Sequence, residues 1–269
     1  MPLPAARGWT QELEAGLEWR WSETTRSFAG EEFHKNIVVA APLSAGWRGW
    51  RADKLGAWSL SADATLGVDW PLGHVTREAY QAKREGATPG WIALQASAAR
   101  DWALPGDFRA KQRVWGQWSP DRLADAGKFN LGGSRSVRGY RESEVSGDGG
   151  LGWTAELLSP SLLRWPKPSI TNEAEAEAAR AAEEDVWRLW RPFGLRLAAF
   201  YDGGWVYQSA PCPEHERAST GLSGAGFGLR LEYGPWVSVR ADYAWRLRYT
   251  DAAGDDRRGY GYLSANVSF

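Results

Sequence analysis

Between Trp236 and Thr250 the chain alternates strictly. Val237, Val239, Ala241, Tyr243, Trp245, Leu247 and Tyr249 fall on one face; Ser238, Arg240, Asp242, Ala244, Arg246, Arg248 and Thr250 fall on the other. Successive side chains of a strand point to opposite faces of its sheet. An apolar and aromatic face backed by three arginines therefore calls for lipid on one side and water on the other. The last segment repeats the pattern, with Leu263, Ala265, Val267 and Phe269 opposite Tyr260, Tyr262, Ser264, Asn266 and Ser268. Similar stretches at 12–27, 36–51, 55–70, 90–104, 107–119, 150–160, 193–209, 220–234, 236–250 and 257–269 predict about ten antiparallel strands. Most are roughly twice the about 5–6 residues usual for a strand in a soluble protein. Pro42 and Gly46 make the second the weakest, because proline removes a ladder donor.

The connections alternate in length. Those at 51–54, 104–107 and 233–236 are tight, whereas 71–89, 120–149, 209–219 and 250–256 are long. Short periplasmic turns alternating with long extracellular loops are the pattern of an outer-membrane barrel. One periplasmic connection, 166–190, departs from it. Its stretch Asn172–Trp187 is rich in Ala and Glu and predicts a helix, with Thr171 or Asn172 as N-cap. Two readings of it stand: a docking element for periplasmic chain, or a solvated insertion.

Composition narrows the class. Eighteen tryptophans and 31 glycines in 269 residues depart from an ordinary soluble domain. Trp19, Trp21, Trp70, Trp91, Trp102, Trp118, Trp153, Trp205 and Trp236 fall near predicted strand ends, where an interfacial aromatic girdle needs them. A net charge of −1 gives no support for nucleic acid as a partner. No run of 18 apolar residues is present to make a transmembrane helix. The segment 1–9 lacks the charged start and apolar core of a signal peptide. Cys212 is the sole cysteine, so an internal disulfide is ruled out. Cys212 and His215 are too few ligands for a metal centre. His34 and His74 lie in predicted loops, far from any base–nucleophile arrangement. The sequence carries no catalytic constellation and implies no cofactor or metal; it does not read as an enzyme.

The loop at 120–149 holds the most specific string in the chain, Phe129-Asn-Leu-Gly-Gly-Ser-Arg-Ser-Val-Arg-Gly-Tyr140, followed by Ser146-Gly-Asp-Gly-Gly150. Its glycines, like those of Gly224–Gly228, superficially match a nucleotide loop. Neither run bridges a strand to a helix, as phosphate cradling requires. Further along, Phe200-Tyr-Asp-Gly-Gly204 sits within a predicted strand. Alternation puts Phe200, Asp202 and Gly204 on one face and Leu195, Leu197, Ala199 and Tyr201 on the lipid-like face, so Asp202 is expected to point into a lumen.

These motifs resemble the haemolysin secretion/activation family, the TpsB-type transporters of two-partner secretion represented by FhaC and ShlB. Val137-Arg138-Gly139-Tyr140, with Gly132, Gly133, Gly147 and Asp148 around it, resembles the family's loop motif. Glu156-Leu157 continues it, and Phe200, Asp202 and Gly204 resemble the second signature. The resemblance spans roughly Thr10 to Phe269. It implies a transmembrane antiparallel β-barrel whose long loop folds back into the lumen, with Arg138 pairing with Asp202. A bidentate guanidinium–carboxylate contact is directional and would pin a flexible loop in one register. For Arg138 the plain alternative is a solvated hairpin arginine; for Asp148 it is an ordinary Asp-Gly turn residue.

The resemblance also implies function and partners. The intact relative passes an unfolded, β-rich, haemolysin- or adhesin-like exoprotein across the bacterial outer membrane without nucleotide. Outer-membrane lipid, the secreted exoprotein and the outer-membrane barrel assembly machinery are the implied partners, with terminal Phe269 as the assembly signal. The family has sixteen strands, a plug helix and two POTRA domains. Residues 1–269 are accordingly expected to be the C-terminal part of the barrel, a truncated form without POTRA domains. A BamA-like assembly factor is the nearest alternative, and a small passive porin or structural barrel the next.

Overall fold

A computed structural model describes residues 1–6, 8–28, 31–69, 76–124, 127–163, 193–211, 217–234, 236–248 and 258–268, with side chains described outside 5–6 and 20–40. Fifteen strands and one short α-helix lie among these residues. Eleven strands form the principal sheet: β1 (Pro2–Ala6), β2 (Trp9–Leu17), β5 (Leu43–Asp53), β6 (Gly56–Gly67), β7 (Trp91–Ala103), β8 (Arg109–Trp118), β11 (Gly149–Leu158), β12 (Phe193–Tyr207), β13 (Ser219–Tyr233), β14 (Val237–Arg246) and β15 (Gly259–Val267). They follow one another in that order, each pairing antiparallel with the next, and β1 and β15 stand at the two edges.

The first two expected strands need correction. The stretch 12–27 is not one strand: it breaks at Glu18–Trp19 into β2 and β3 (Arg20–Phe28). The stretch 36–51 breaks at Ala41–Pro42 into β4 (Glu31–Ala40) and β5. β3 and β4 pair as a separate hairpin. The Glu18 N–H donates to the Pro42 carbonyl at 3.1 Å across the proline-bearing break. β1 adds an eleventh strand where alternation marks none, because a five-residue segment with prolines at positions 2 and 4 carries no periodic signal. The loop expected at 71–89 contains a helix, α1 (Arg77–Lys83), capped by the Thr76 hydroxyl accepting from the Ala79 N–H. The expected helix within 166–190 and the terminal Phe269 lie outside the described residues.

The sheet sorts its side chains as the alternation requires. Leu157, Leu197, Tyr201, Phe227, Leu229, Tyr243, Leu263 and Val267 are all exposed on one face. Trp118 and Trp205 are exposed at the long-loop ends of their strands, and Trp236 beside the tight turn at the opposite rim. An apolar face this extensive is the kind that outer-membrane barrels turn toward lipid. The principal hydrophobic core is instead on the inner side, where Phe129, Leu131, Val137, Tyr140 and Val145 of the long loop pack on Val206 and Leu222 of the wall. That loop is ordered by its own hairpin, β9 (Phe129–Leu131) paired with β10 (Val145–Gly147).

Candidate functional site: a loop fastened to the inner wall

Arg138 sits at the inward end of this loop and is 2 % exposed. Its Nε donates to Asp202 Oδ2 at 2.6 Å and its Nη2 to Oδ1 at 2.8 Å, while its backbone N–H also reaches Oδ2 at 3.2 Å. Asp202 is fully buried. Its strand position follows from pairing: Asp202 lies opposite Thr154 on β11 and Gly224 on β13, on the face that receives the loop. The Phe200 ring, on the same face, lies 3.3 Å beneath the guanidinium carbon. Burial opposes the charge of Arg138. The hydrogen bonds and negative charge of Asp202 and Glu156 outweigh that, so its proton is held more tightly than that of an ordinary arginine.

Asp202 is not the only partner. Arg138 Nη1 donates to Glu156 Oε2 at 2.9 Å and to Asp242 Oδ2 at 3.3 Å. Arg230 joins those two carboxylates, bonding both Glu156 oxygens at 3.0 and 2.8 Å and Asp242 Oδ1 at 2.7 Å. Arg240 bonds Asp242 Oδ2 at 2.6 Å. Three arginines and three carboxylates thus interlock across β11, β12, β13 and β14. Glu156 and Arg230 lie in stretches that resemble the family, the latter closing Gly224–Arg230, but Arg240 and Asp242 lie outside any such stretch. Their signal is alternation, which puts charged residues opposite an apolar face on β13 and β14.

The residues after Arg138 complete the grip. Gly139 has φ +99°, a conformation that disfavours any side chain. Its N–H donates to the Tyr262 hydroxyl at 2.9 Å, and its carbonyl accepts from Arg246 Nε at 3.0 Å. The Tyr140 hydroxyl lies 2.8 Å from the Ser223 carbonyl and 2.5 Å from that of Arg248, and burial pushes its pKa up. On the wall, Gly224 lets the loop lie flat: a Cβ there would run into the Arg138 carbonyl oxygen. Gly204 does the same under the Leu131 side chain, 2.7 Å from where its Cβ would stand. Gly132 and Gly133 both have positive φ where the loop turns under Arg141–Glu144, and Gly147 leaves β10 flush against Tyr207.

Asp148 is a buried hub rather than a turn residue. Arg84 Nη1 and Nη2 bond its two carboxylate oxygens at 2.5 and 3.0 Å, and the N–H groups of Leu123 and Ser209 add bonds of 2.8 and 2.7 Å. Four separate segments meet at this one carboxylate. Arg84 directly follows α1, whose Tyr80 is buried with Ala87 against Trp91 and Ala124. Burial raises the Tyr80 pKa. Nothing in the local sequence marks Arg84. No group of His, Cys, Asp and Glu suited to a metal occurs among the described residues.

A membrane-type antiparallel sheet with a loop bonded to its inner face defines a class, the outer-membrane barrels with an internal loop. Residues 5–176, more than half of the chain, match the family of the haemolysin secretion/activation protein ShlB/FhaC/HecB. The chain belongs to this family. The match stops short of the Phe200–Gly204 strand. The outer membrane transporter CdiB of Escherichia coli is 30% identical over 149 residues, 52% of this chain and 21% of that protein. CdiB of Dickeya dadantii is 25% identical over 136 residues, 51% of this chain and 19% of that protein. Among solved structures, CdiB from Escherichia coli superposes over the whole chain with a TM-score of 0.73 at 21% identity, covering 44% of that structure. BamA from Haemophilus ducreyi lacking POTRA domains 1–3 gives 0.58 at 11% identity, over 98% of this chain and 52% of that one. These two likenesses establish the shared fold. The chain thus spans less than half of the solved CdiB and matches about a fifth of the length of the curated relatives.

Proposed function

We propose that this chain forms wall and plug of an outer-membrane pore for two-partner secretion, passing a haemolysin- or adhesin-like exoprotein in unfolded form. The observation that carries this reading is the insertion of Arg138 among Asp202, Glu156 and Asp242. A loop held to a pore wall by charge-assisted hydrogen bonds is closed at rest yet releasable. Every bond involved can be exchanged for one to water or to a passing polypeptide backbone. A passive porin needs no such fastening. The family match favours secretion over barrel assembly, although the sheet superposes on BamA as well.

In this reading the apolar face lies in outer-membrane lipid, the inner face meets the exoprotein, and the barrel assembly machinery inserts the chain. Transport needs no cofactor and no catalytic step. The test is export of a large exoprotein encoded beside this gene, with both expressed from the native locus. Its appearance in the medium should depend on this chain. Equal export after deletion would refute the proposal.

A further inference from the structure

The outward face of the sheet is not uniformly apolar. Pairing fixes an inner row through Asp202, Thr154, Arg113, Ala99, Ser59 and Trp50, so the positions next to these face outward. On β6 the outward residues run Trp58, Leu60, Ala62, Ala64, Leu66; on β7 they run Ile92, Leu94, Ala96, Ala98, and then Arg100 and Trp102. The apolar run ends at one register row on three adjacent strands, where Arg51, Trp58 and Arg100 stand side by side. That row lies within a few residues of the tight turns at 53–56 and 104–108, the rim that the short-turn pattern of outer-membrane barrels makes periplasmic.

The rim is built, not incidental. The Arg100 guanidinium bonds both carboxylate oxygens of Asp53 at 2.8 Å and stacks between Trp58 and Trp102, 5.0 and 4.6 Å from their ring centres. Trp102 Nε1 is held in turn by Gln112 Oε1 at 3.2 Å. Asp53 also accepts from the Leu55 N–H at 2.8 Å, which fixes the turn. Arg51 and Lys54 are left exposed on either side of that carboxylate, and Leu55 is exposed beyond them. On the outward face of β5 to β8 and this turn, three cations stand against one carboxylate.

We propose that this sector binds the phosphate of an anionic phospholipid of the phosphatidylglycerol class in the periplasmic leaflet. The inference rests on the membrane placement proposed above. Arg51 and Lys54 supply the charges that meet the phosphate. Trp58 and Trp102 set the depth, since indole rings settle at the headgroup level. Arg100 is a positioning residue: paired with Asp53 and sandwiched by the rings, it holds the turn so that its two neighbours project into the headgroups. Among the described residues, the strands of the opposite outward sector, with Leu157, Leu197, Leu229 and Tyr243, carry no comparable charge.

The test is native mass spectrometry of the full chain released from nanodiscs of equal parts phosphatidylglycerol and phosphatidylcholine. The wild-type chain should retain phosphatidylglycerol preferentially. Removing basic charge should lower that preference about fivefold per residue, so Arg51→Gln with Lys54→Gln falls furthest and Arg51→Lys stays near wild type. The inner-face pair Arg109→Gln with Lys111→Gln should change nothing. An unchanged lipid ratio in the outward pair, or an equal fall in the inner pair, would overturn the site. Failure of the wild-type chain to insert at all would overturn the membrane placement together with it.

Discussion

Arg84 and Asp148 are joined by two hydrogen bonds of 2.5 and 3.0 Å, and their side chains are 7 % and 0 % exposed. At the opposite end of the loop from Arg138 and Asp202, this is a second two-bond guanidinium–carboxylate contact, made end-on through both Nη atoms where Arg138 uses Nε and Nη2. The loop is therefore fastened twice: inward to the wall through Arg138, outward to α1 through Arg84. Arg84→Ala should strand a buried carboxylate and cost about 3–5 kcal/mol. Asp148→Asn removes the charge but turns one acceptor oxygen into an amide NH2 facing the Leu123 or Ser209 N–H, so it should itself be destabilising. It should still partly rescue Arg84→Ala, because no buried charge is then left without its cation. Denaturant unfolding of the refolded chain reads both effects; equal losses for Arg84→Ala and a surface arginine variant would contradict the hub.

Gly224 makes room for the Arg138 carbonyl rather than for a turn. A methyl group there cannot be accommodated unless the loop shifts, and such overpacking costs about 1–3 kcal/mol. Gly224→Ala should therefore expose the loop to protease between Arg135 and Arg141 while leaving the sheet's circular dichroism unchanged. Uncut loop in this variant would show that the contact is dispensable.

The Tyr140 hydroxyl links the loop to two carbonyls on the wall, those of Ser223 and Arg248. Its ring belongs to the buried core cluster. Tyr140→Phe keeps the packing and loses about 1 kcal/mol of hydrogen bonding. Tyr140→Ala loses the ring as well, about 3–5 kcal/mol for an aromatic residue. The gap between the two, measured as shifts in unfolding midpoint, separates packing from bonding. Equal effects would place the grip in the hydroxyl alone.

Phe227 is 64 % exposed at the middle of β13. On a lipid-facing strand an arginine near mid-bilayer costs about 2–4 kcal/mol. Phe227→Arg should lose that much in vesicles, whereas Ser59→Arg on the inner face should stay within about 0.5 kcal/mol of wild type. Reversal of this order would reverse the assignment of the two faces.

Much of this was legible beforehand because a period of two is a direct imprint of a two-faced sheet. The alternation that put Asp202 opposite Tyr201 and Leu197 is the one seen in the register of β12. What stayed hidden has physical causes. β1 is a five-residue, proline-bearing edge whose place is fixed by pairing with β2 rather than by any pattern of its own. α1 has seven residues, too short for helical periodicity to register, and Arg84 finds Asp148 only when the loops close over the inner face. Glu18 and Trp19 look like strand, yet the break across from Pro42 ends the ladder there. Arg240 and Asp242 belong to no motif; with Arg230 they become a network only when β13 and β14 lie beside β11 and β12.

That network changes how the central pairing must be tested. Exchanging the charges of Arg138 and Asp202 would put a carboxylate against Glu156 and Asp242, so failure of the exchange would say nothing about the pair. Neutral substitutions avoid this. Hydrogen exchange of the amides at 137–140 should be followed in Arg138→Met, in Asp202→Asn and in the combination. Charged hydrogen bonds of this kind contribute about 1.5–3 kcal/mol, so each single change should speed exchange roughly 10- to 100-fold. The double variant should be little faster than the Arg138 single, because the guanidinium–carboxylate contact is already gone and an Asn oxygen can still accept from the residue-138 N–H. Exchange unaltered by either change, or effects that simply multiply, would contradict a loop held to the wall by Arg138 and Asp202.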